Sequence, residues 1–130
     1  MEEKLFSYLF SMAQEDYSPI VLCNLNHEIV YMNPAAAKRY AKSGGDGLVG
    51  KSLLACHGEK SAKRIEEVIA WFRAKKENNR IYTFYNEKEN KDVYMVALRD
   101  GEGSLIGYYE KHEYRDRETG KFYDFGESGF

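Results

Sequence analysis

Two soft ligand types stand side by side at Cys56-His57, within the segment from Leu48 to Ser61. Thiolate and imidazole are side chains that hold transition metals, ligate haem iron or attack electrophiles. Cys56 lies just before a helical pattern that opens near Lys60, and a helix N-terminus lowers a thiol's pKa. A redox-sensing thiol is one reading of it; a buried, inert cysteine is the other. His57 has the chemistry of an axial haem ligand, but a histidine beside a helix start also serves as a cap. Zinc held by Cys56, His57 and His112 would need distant groups to converge, and adjacent ligands do not match usual zinc spacings. Glu110 and His112 share one strand face by the two-residue period, with Glu113 on the other. No nucleophile, base and orienting group stand at a recognisable spacing, so no enzyme is expected.

The elements around this segment are legible from periodicity. Residues 3 to 16 read as a helix with Leu5, Leu9 and Met12 on one stripe and Phe6, Tyr8, Phe10 and Ala13 widening it. So apolar a helix must cover its own sheet or pair with the same helix of a second copy. Ser18-Pro19 ends it. Ile20 to Leu25 and Glu28 to Met32 are β-rich runs, joined through Asn26-His27, where Asn tolerates a positive φ. His27 is expected to be an exposed turn residue. Asn33 is a good N-cap and Pro34 suits the first position of a short helix, Ala35 to Lys42. The Gly-rich stretch Ser43 to Gly47 lacks a Walker or dinucleotide pattern and reads as a flexible connection. Lys60 to Lys75 is a second helix, with Ile65, Val68, Ile69 and Phe72 at i, i+3, i+4 and i+7. Three strands follow, Arg80 to Asn86, Asp92 to Arg99 and Ser104 to His112, with linkers of hairpin length. In the first of them Tyr82 and Phe84 alternate against Ile81, Thr83 and Tyr85. An antiparallel sheet covered on one face by helices follows.

Composition narrows the function classes. The chain has 130 residues, enough for one domain with a core, and 31% of them are charged. A net charge of −2 gives no basic excess for a nucleic-acid surface. Aromatic residues make up 15%, which serves core packing or else a cavity or partner face. Cys23, in a strand-like run, reads as a buried small hydrophobe, and two cysteines make no disulfide framework. The acidic opening residues are not expected to act as a signal peptide, and no apolar run is long enough to span a bilayer. A cytoplasmic location is expected. From Glu113 onward the chain is polar, with Phe122, Tyr123, Phe125 and Phe130 set among glycines and acids. This is either a loose tail or an aromatic segment docked on its own domain or on a partner.

The run Ile-Val-Leu-Cys-Asn-Leu-Asn-His-Glu-Ile-Val-Tyr-Met-Asn-Pro-Ala-Ala, Ile20 to Ala36, resembles the start of a PAS domain. Asn33-Pro34-Ala35 is similar to that family's Asn-x-Ala signature. Leu48-Val49-Gly50-Lys51-Ser52-Leu53 is similar to its hydrophobic-hydrophobic-Gly-Lys segment, and Asp100 to Tyr108 to its closing hairpin. The resemblance spans about residues 18 to 112. It implies an α+β fold, a five-stranded antiparallel sheet of order 2-1-5-4-3 with helices over one face, often enclosing a ligand. It also sets limits. The LOV-type flavin photosensors carry their cysteine in an Asn-Cys-Arg-Phe-Leu-Gln context, whereas Ser52-Leu53-Leu54 stands there in this chain. Flavin-adduct chemistry is therefore not expected. In photoactive yellow protein the cysteine lies further beyond the Gly-Lys pair than Cys56 does. The Cys56-His57-x-x-Lys60-Ser61 pattern resembles a subset of bacterial PAS domains. The Asp-Ile-Thr end signal is replaced by Tyr114-Arg115-Asp116, so output is expected to run through a dimer or a protein partner.

The resulting expectation is an N-terminal helix at 1–17, a PAS domain at 18–113 and a tail at 114–130. A small ligand or cofactor, haem among the options, is expected between the sheet and the helix from Lys60 to Lys75. The residues expected to meet it are His57, Cys56, Leu53, Ile69, Phe72, Tyr82 and Phe84. A homodimer through the N-terminal helix would carry the signal, with neither nucleic acid nor membrane as a partner. A ligand-free interaction domain, its core filled by aromatics, is the competing expectation.

Overall fold

The computed structural model describes residues 2–54 and 58–126. In chain order it forms α1 (Glu2–Gln14), β1 (Val21–Asn24), β2 (Ile29–Met32), α2 (Pro34–Arg39), α3 (Glu59–Ala74), β3 (Arg80–Asn86), β4 (Lys91–Arg99) and β5 (Leu105–Tyr114). Two short 3-10 turns, Ala41–Ser43 and Gly45–Leu48, occupy the Gly-rich stretch that reads from sequence as a flexible connection. Glycine makes them possible: Gly44 and Gly45 both take positive φ, which reverses the chain twice and brings Leu48 into the core.

The five strands form one antiparallel sheet in the order β2-β1-β5-β4-β3, the order that the resemblance implies. β1 and β5, far apart in the chain, pair at the centre, with Cys23 opposite Tyr108 and Asn24 opposite Gly107. Gly107 is required there, because an added Cβ would overlap the Cys23 carbonyl oxygen. One sheet face is covered by α3, whose stripe of Val68, Ile69 and Phe72 is buried in the same cluster as Ile29, Met95 and Tyr108. Burying each such side chain contributes roughly 1.5–3 kcal/mol.

Two polar residues tie the remaining elements to this core. Asn33 is fully buried; its Oδ1 caps α2 by accepting from Ala36 N at 2.9 Å and also accepts from Ile20 N at 2.9 Å. Its Nδ2 donates to the carbonyls of Ala13 and Ser18, each at 3.0 Å, which fixes the exit of α1. Arg99 does the same for α3: Nη2 donates to the Phe72 and Lys75 carbonyls at 2.6 and 3.2 Å, and Nε to Asn79 Oδ1 at 2.6 Å. A cation at the C-terminal end of a helix also suits its dipole.

α1 buries none of its residues. Its Phe10 meets Tyr31 edge-on, and Gln14 accepts from the Tyr31 hydroxyl at 2.5 Å. The rest of the stripe is open: Leu5, Phe6, Leu9 and Met12 are 54%, 64%, 51% and 70% exposed. No helix among the described residues is long and apolar enough to cross a membrane.

Candidate functional site

Between the covered sheet face and the helical layer lies a cavity of about 250 Å³. Val21 and Cys23 of β1, Ile29 and Met32 of β2 and Met95 of β4 supply its sheet wall. Leu48, Leu53 and Ile65 close it from the helical side. These are apolar side chains because both layers bury them; alternation puts Val21 and Cys23 on this face, and an irregularity in the β1–β2 pairing brings Ile29 and Met32, three residues apart, to the same side. One end is polar, lined by Tyr40, Ser43, Glu110 and His112. Ser43 and Glu110 are exposed there, whereas His112 is only 7% exposed.

Two hydrogen-bonded groups give the cavity its chemistry. At the β1–β2 turn, His27 takes φ 64°, and its Nδ1 lies 2.8 Å from the Tyr108 hydroxyl. Its Nε2 lies 3.4 Å from Glu66 Oε1 of α3. The carboxylate assigns the ring proton to Nε2, so the Tyr108 hydroxyl donates to Nδ1. Tyr108 in turn contacts the Cys23 thiol, so a chain of polar groups runs from the exposed Glu66 to the cavity wall. Burial pushes the Cys23 thiol up to about 11 and raises the Tyr108 phenol as well, so both stay protonated at neutral pH. Neither is a nucleophile there. At the polar end, His112 Nε2 lies 3.3 Å from Glu110 Oε1. Next to it, the ammonium of buried Lys91 sits 3.3 Å from Glu89, which also accepts a bidentate pair from Arg39 at 2.7 and 2.8 Å. Burial lowers the Lys91 pKa, and the Arg39 pair holds the Glu89 carboxyl down at about 2.

The residues expected to meet a ligand separate into four groups. Leu53 lines the cavity. Ile69 and Phe72 are buried in the core cluster but are not part of the cavity wall. Tyr82 and Phe84 are 54% and 42% exposed and away from the cavity. The expected alternation that placed them on one face is broken by a bulge at Thr83. Tyr82 pairs with Tyr94, whereas Phe84 pairs with the buried Val93. Cys56 and His57 lie outside the described residues. The cavity is also small for haem. It falls below the roughly 300 Å³ at which sites for drug-sized ligands begin, and a porphyrin needs more room than that.

His27 differs from expectation, since it is a partly buried anchor rather than an exposed turn residue. The positive φ also falls on it and not on Asn26. Asn24 is the reason: its Oδ1 accepts from both Asn26 N and Glu28 N and sets the turn. Of the cavity residues outside the expected ligand set, Cys23, Tyr108 and His112 are buried and carry ionisable groups. The two-residue period that groups Glu110 with His112 also includes Tyr108, so a signal was available in the strand pattern.

No protein-family model and no curated protein matches the chain. Solved structures do. A PAS domain from Colwellia psychrerythraea is 12% identical, with 85% of this chain and 97% of that chain covered at a TM-score of 0.63. A sensory box sensor histidine kinase from Vibrio cholerae is 13% identical, with 89% and 94% covered at 0.59. The PAS domain of BvgS from Bordetella pertussis is 14% identical, with 88% of each chain covered at 0.58. Identities this low speak for the fold and not for a ligand. The strand order, the helical cover and these overlaps over most of the chain agree, and the protein has the PAS fold.

Proposed function

We propose that the chain is a non-enzymatic sensory module of the cytoplasm that binds a small, largely apolar molecule between its sheet and its helical layer. The cavity carries this reading. It is walled by aliphatic and thioether side chains, with polar groups gathered at one end, the pattern of a small-molecule site. An apolar cavity of roughly 150 Å³ accepts benzene. At about 250 Å³, this one suits a molecule of one or two rings. Similarity in fold to a sensor histidine kinase supports the signalling role.

Output is assigned to α1, pairing with α1 of a second copy. Isolated helices shorter than roughly 12–15 residues are marginal in water unless packed. α1 has 13 residues, none of them buried by its own chain, and its apolar side chains face solvent. Occupancy of the cavity would reach α1 through β2, whose Met32 lines the cavity and whose Tyr31 holds α1.

The test fills the cavity. Native mass spectrometry and calorimetry with small aromatic compounds would compare wild type with Ile65→Trp. Binding by wild type and its loss in a folded variant is the expected outcome. A wild-type protein that binds none of them would refute the ligand reading. It would favour a ligand-free interaction domain, for which the exposed Phe122 and Phe125 of the tail are the supporting observation. Ending the chain at Tyr114 would then abolish partner capture. Native mass on the same sample reports the dimer, and Leu5→Glu with Leu9→Glu should give monomers.

A further inference from the structure

The mouth of the cavity carries one accessible charge. Glu110 lies on β5, on the sheet face it shares with the buried Tyr108 and His112, yet its side chain is 46% exposed. It stands where the covered face opens to water, with Tyr40 and Ser43 at the same polar end. Its Oε1 faces His112 Nε2 at 3.3 Å, and its Oε2 makes no hydrogen bond or ion pair among the described residues. The cations nearby are withheld. Arg39 engages Glu89 through both Nη atoms, and Lys91, whose side chain is 1% exposed, is sealed beside the same carboxylate. His112 is held in the wall opposite Val93, and its Nδ1 is buried without a hydrogen-bond partner among the described residues. Lys42 is exposed but does not line the cavity. A molecule entering the cavity meets apolar side chains within and a carboxylate at the entrance.

We infer that the cavity's ligand is an arylalkylamine, a single ring seated among the aliphatic and thioether side chains with a short arm that carries an ammonium group out to Glu110. This rests on the reading of the cavity as a ligand site. Three observations select the class. Met32 and Met95 set polarizable sulfur in the sheet wall, which packs favourably against an aromatic ring. The Tyr108 hydroxyl and the Cys23 thiol are already engaged, with His27 and with each other, so the ligand's polar group belongs at the mouth and not inside. The open oxygen at the mouth is a carboxylate's, which only accepts and is negative. It attracts a cationic donor, serves a neutral hydroxyl less well and repels an anion. Water reaches Glu110, so this pair is screened and sets selectivity, while burial of the ring supplies the affinity. His112 keeps Oε1, and no side chain has to move for Oε2 to receive the ammonium.

The experiment compares phenethylamine, phenethyl alcohol and phenylacetate, probes of like size and different charge, by calorimetry on the full chain. Wild type should bind the amine about tenfold more tightly than phenylacetate, with the alcohol between them, since one exposed attraction and one exposed repulsion each contribute about threefold. Glu110→Gln should bring the amine and phenylacetate to within about twofold of each other. Glu102→Gln removes the same charge from the exposed turn between β4 and β5 and should leave the preference in place, which separates Glu110 from the net charge of the chain. Carboxyl carbon spectra of glutamate-labelled wild type supply a readout that does not depend on a variant folding. There, the amine should shift the Glu110 resonance well beyond the shift caused by the alcohol. A wild type that binds phenylacetate as tightly as the amine, an unmoved Glu110 resonance, or a preference that persists in Glu110→Gln overturns the role of Glu110 and leaves the ligand cavity standing. Binding of none of the three probes overturns the cavity reading, and this inference with it.

Discussion

Replacing Asn33 with alanine should cost the fold far more than the loss of one helix cap. In wild type the side chain makes four good hydrogen bonds in a fully buried position: two accepted from Ile20 and Ala36, and two donated to Ala13 and Ser18. A typical intramolecular hydrogen bond contributes about 1 kcal/mol net, and a buried group left unpaired costs roughly 1–3 kcal/mol. Four bonds would suggest about 4 kcal/mol. The end of α1 lies near the surface, where water can satisfy part of what is lost, so about 3 kcal/mol is the expected cost. For a chain of this length roughly 4 °C per kcal/mol gives a fall of about 12 °C in Tm. Urea unfolding followed by Trp71 fluorescence measures it, with an unchanged m-value as the control for two-state behaviour. Asn33→Asp separates the two halves of the site. It keeps the Oδ1 acceptor for α2 but turns a carboxylate oxygen toward the carbonyls of Ala13 and Ser18. Hydrogen exchange should then show the C-terminal turn of α1 deprotected while α2 remains protected. A cost below about 1 kcal/mol for Asn33→Ala would refute the view that this residue joins α1, β1 and α2, since that is the effect of a cap alone.

Three further expectations follow from the same kind of reasoning. Arg99→Lys should destabilise by about 2 kcal/mol in urea, because one ammonium cannot reach the carbonyls and Asn79 that the guanidinium joins; an unchanged midpoint would argue against it. Glu89 is held at about 2, against 4.5 for the free group, chiefly by its hydrogen bonds from Arg39. A depressed carboxyl stabilises the fold above the unfolded value and loses that effect as pH falls through the folded one. Wild type should therefore lose stability between about pH 4.5 and 2 more steeply than Arg39→Gln, and parallel curves would exclude the pair as a contributor. Finally, a Cys56→Ser variant should react with a thiol reagent only as fast as it unfolds, because Cys23 is buried and its pKa is raised to about 11. Rapid labelling under native conditions would show the wall at Cys23 to be open.

Much of the architecture can be read from the linear chain. The stripe at Ile65, Val68, Ile69 and Phe72 announces a helix with one buried face, and it is buried on that face. Asn33-Pro34 announces a helix start, and α2 begins at Pro34. These signals are local: they follow from backbone geometry, capping and a period shorter than the element itself. The strand order came from resemblance, since no local signal says that β1 will pair with β5.

The cavity is another matter. Leu53, expected from sequence to meet a ligand, does line the cavity, but Tyr82 and Phe84 could not be assigned a face, because one extra residue at Thr83 resets the alternation. His27 reads as a turn residue until Tyr108, 81 positions later, supplies its partner. His112 reads as one polar strand residue among several until the pairing of β5 with β4 buries it beside Val93. Residue types and their periods specify which segments become helices and strands, because those choices are made within a few residues. Long-range register and packing decide which side chains share a cavity, which ring nitrogen is left without a partner and which helix is left uncovered. Those contacts join residues whose separation in the chain carries no information about their separation in space.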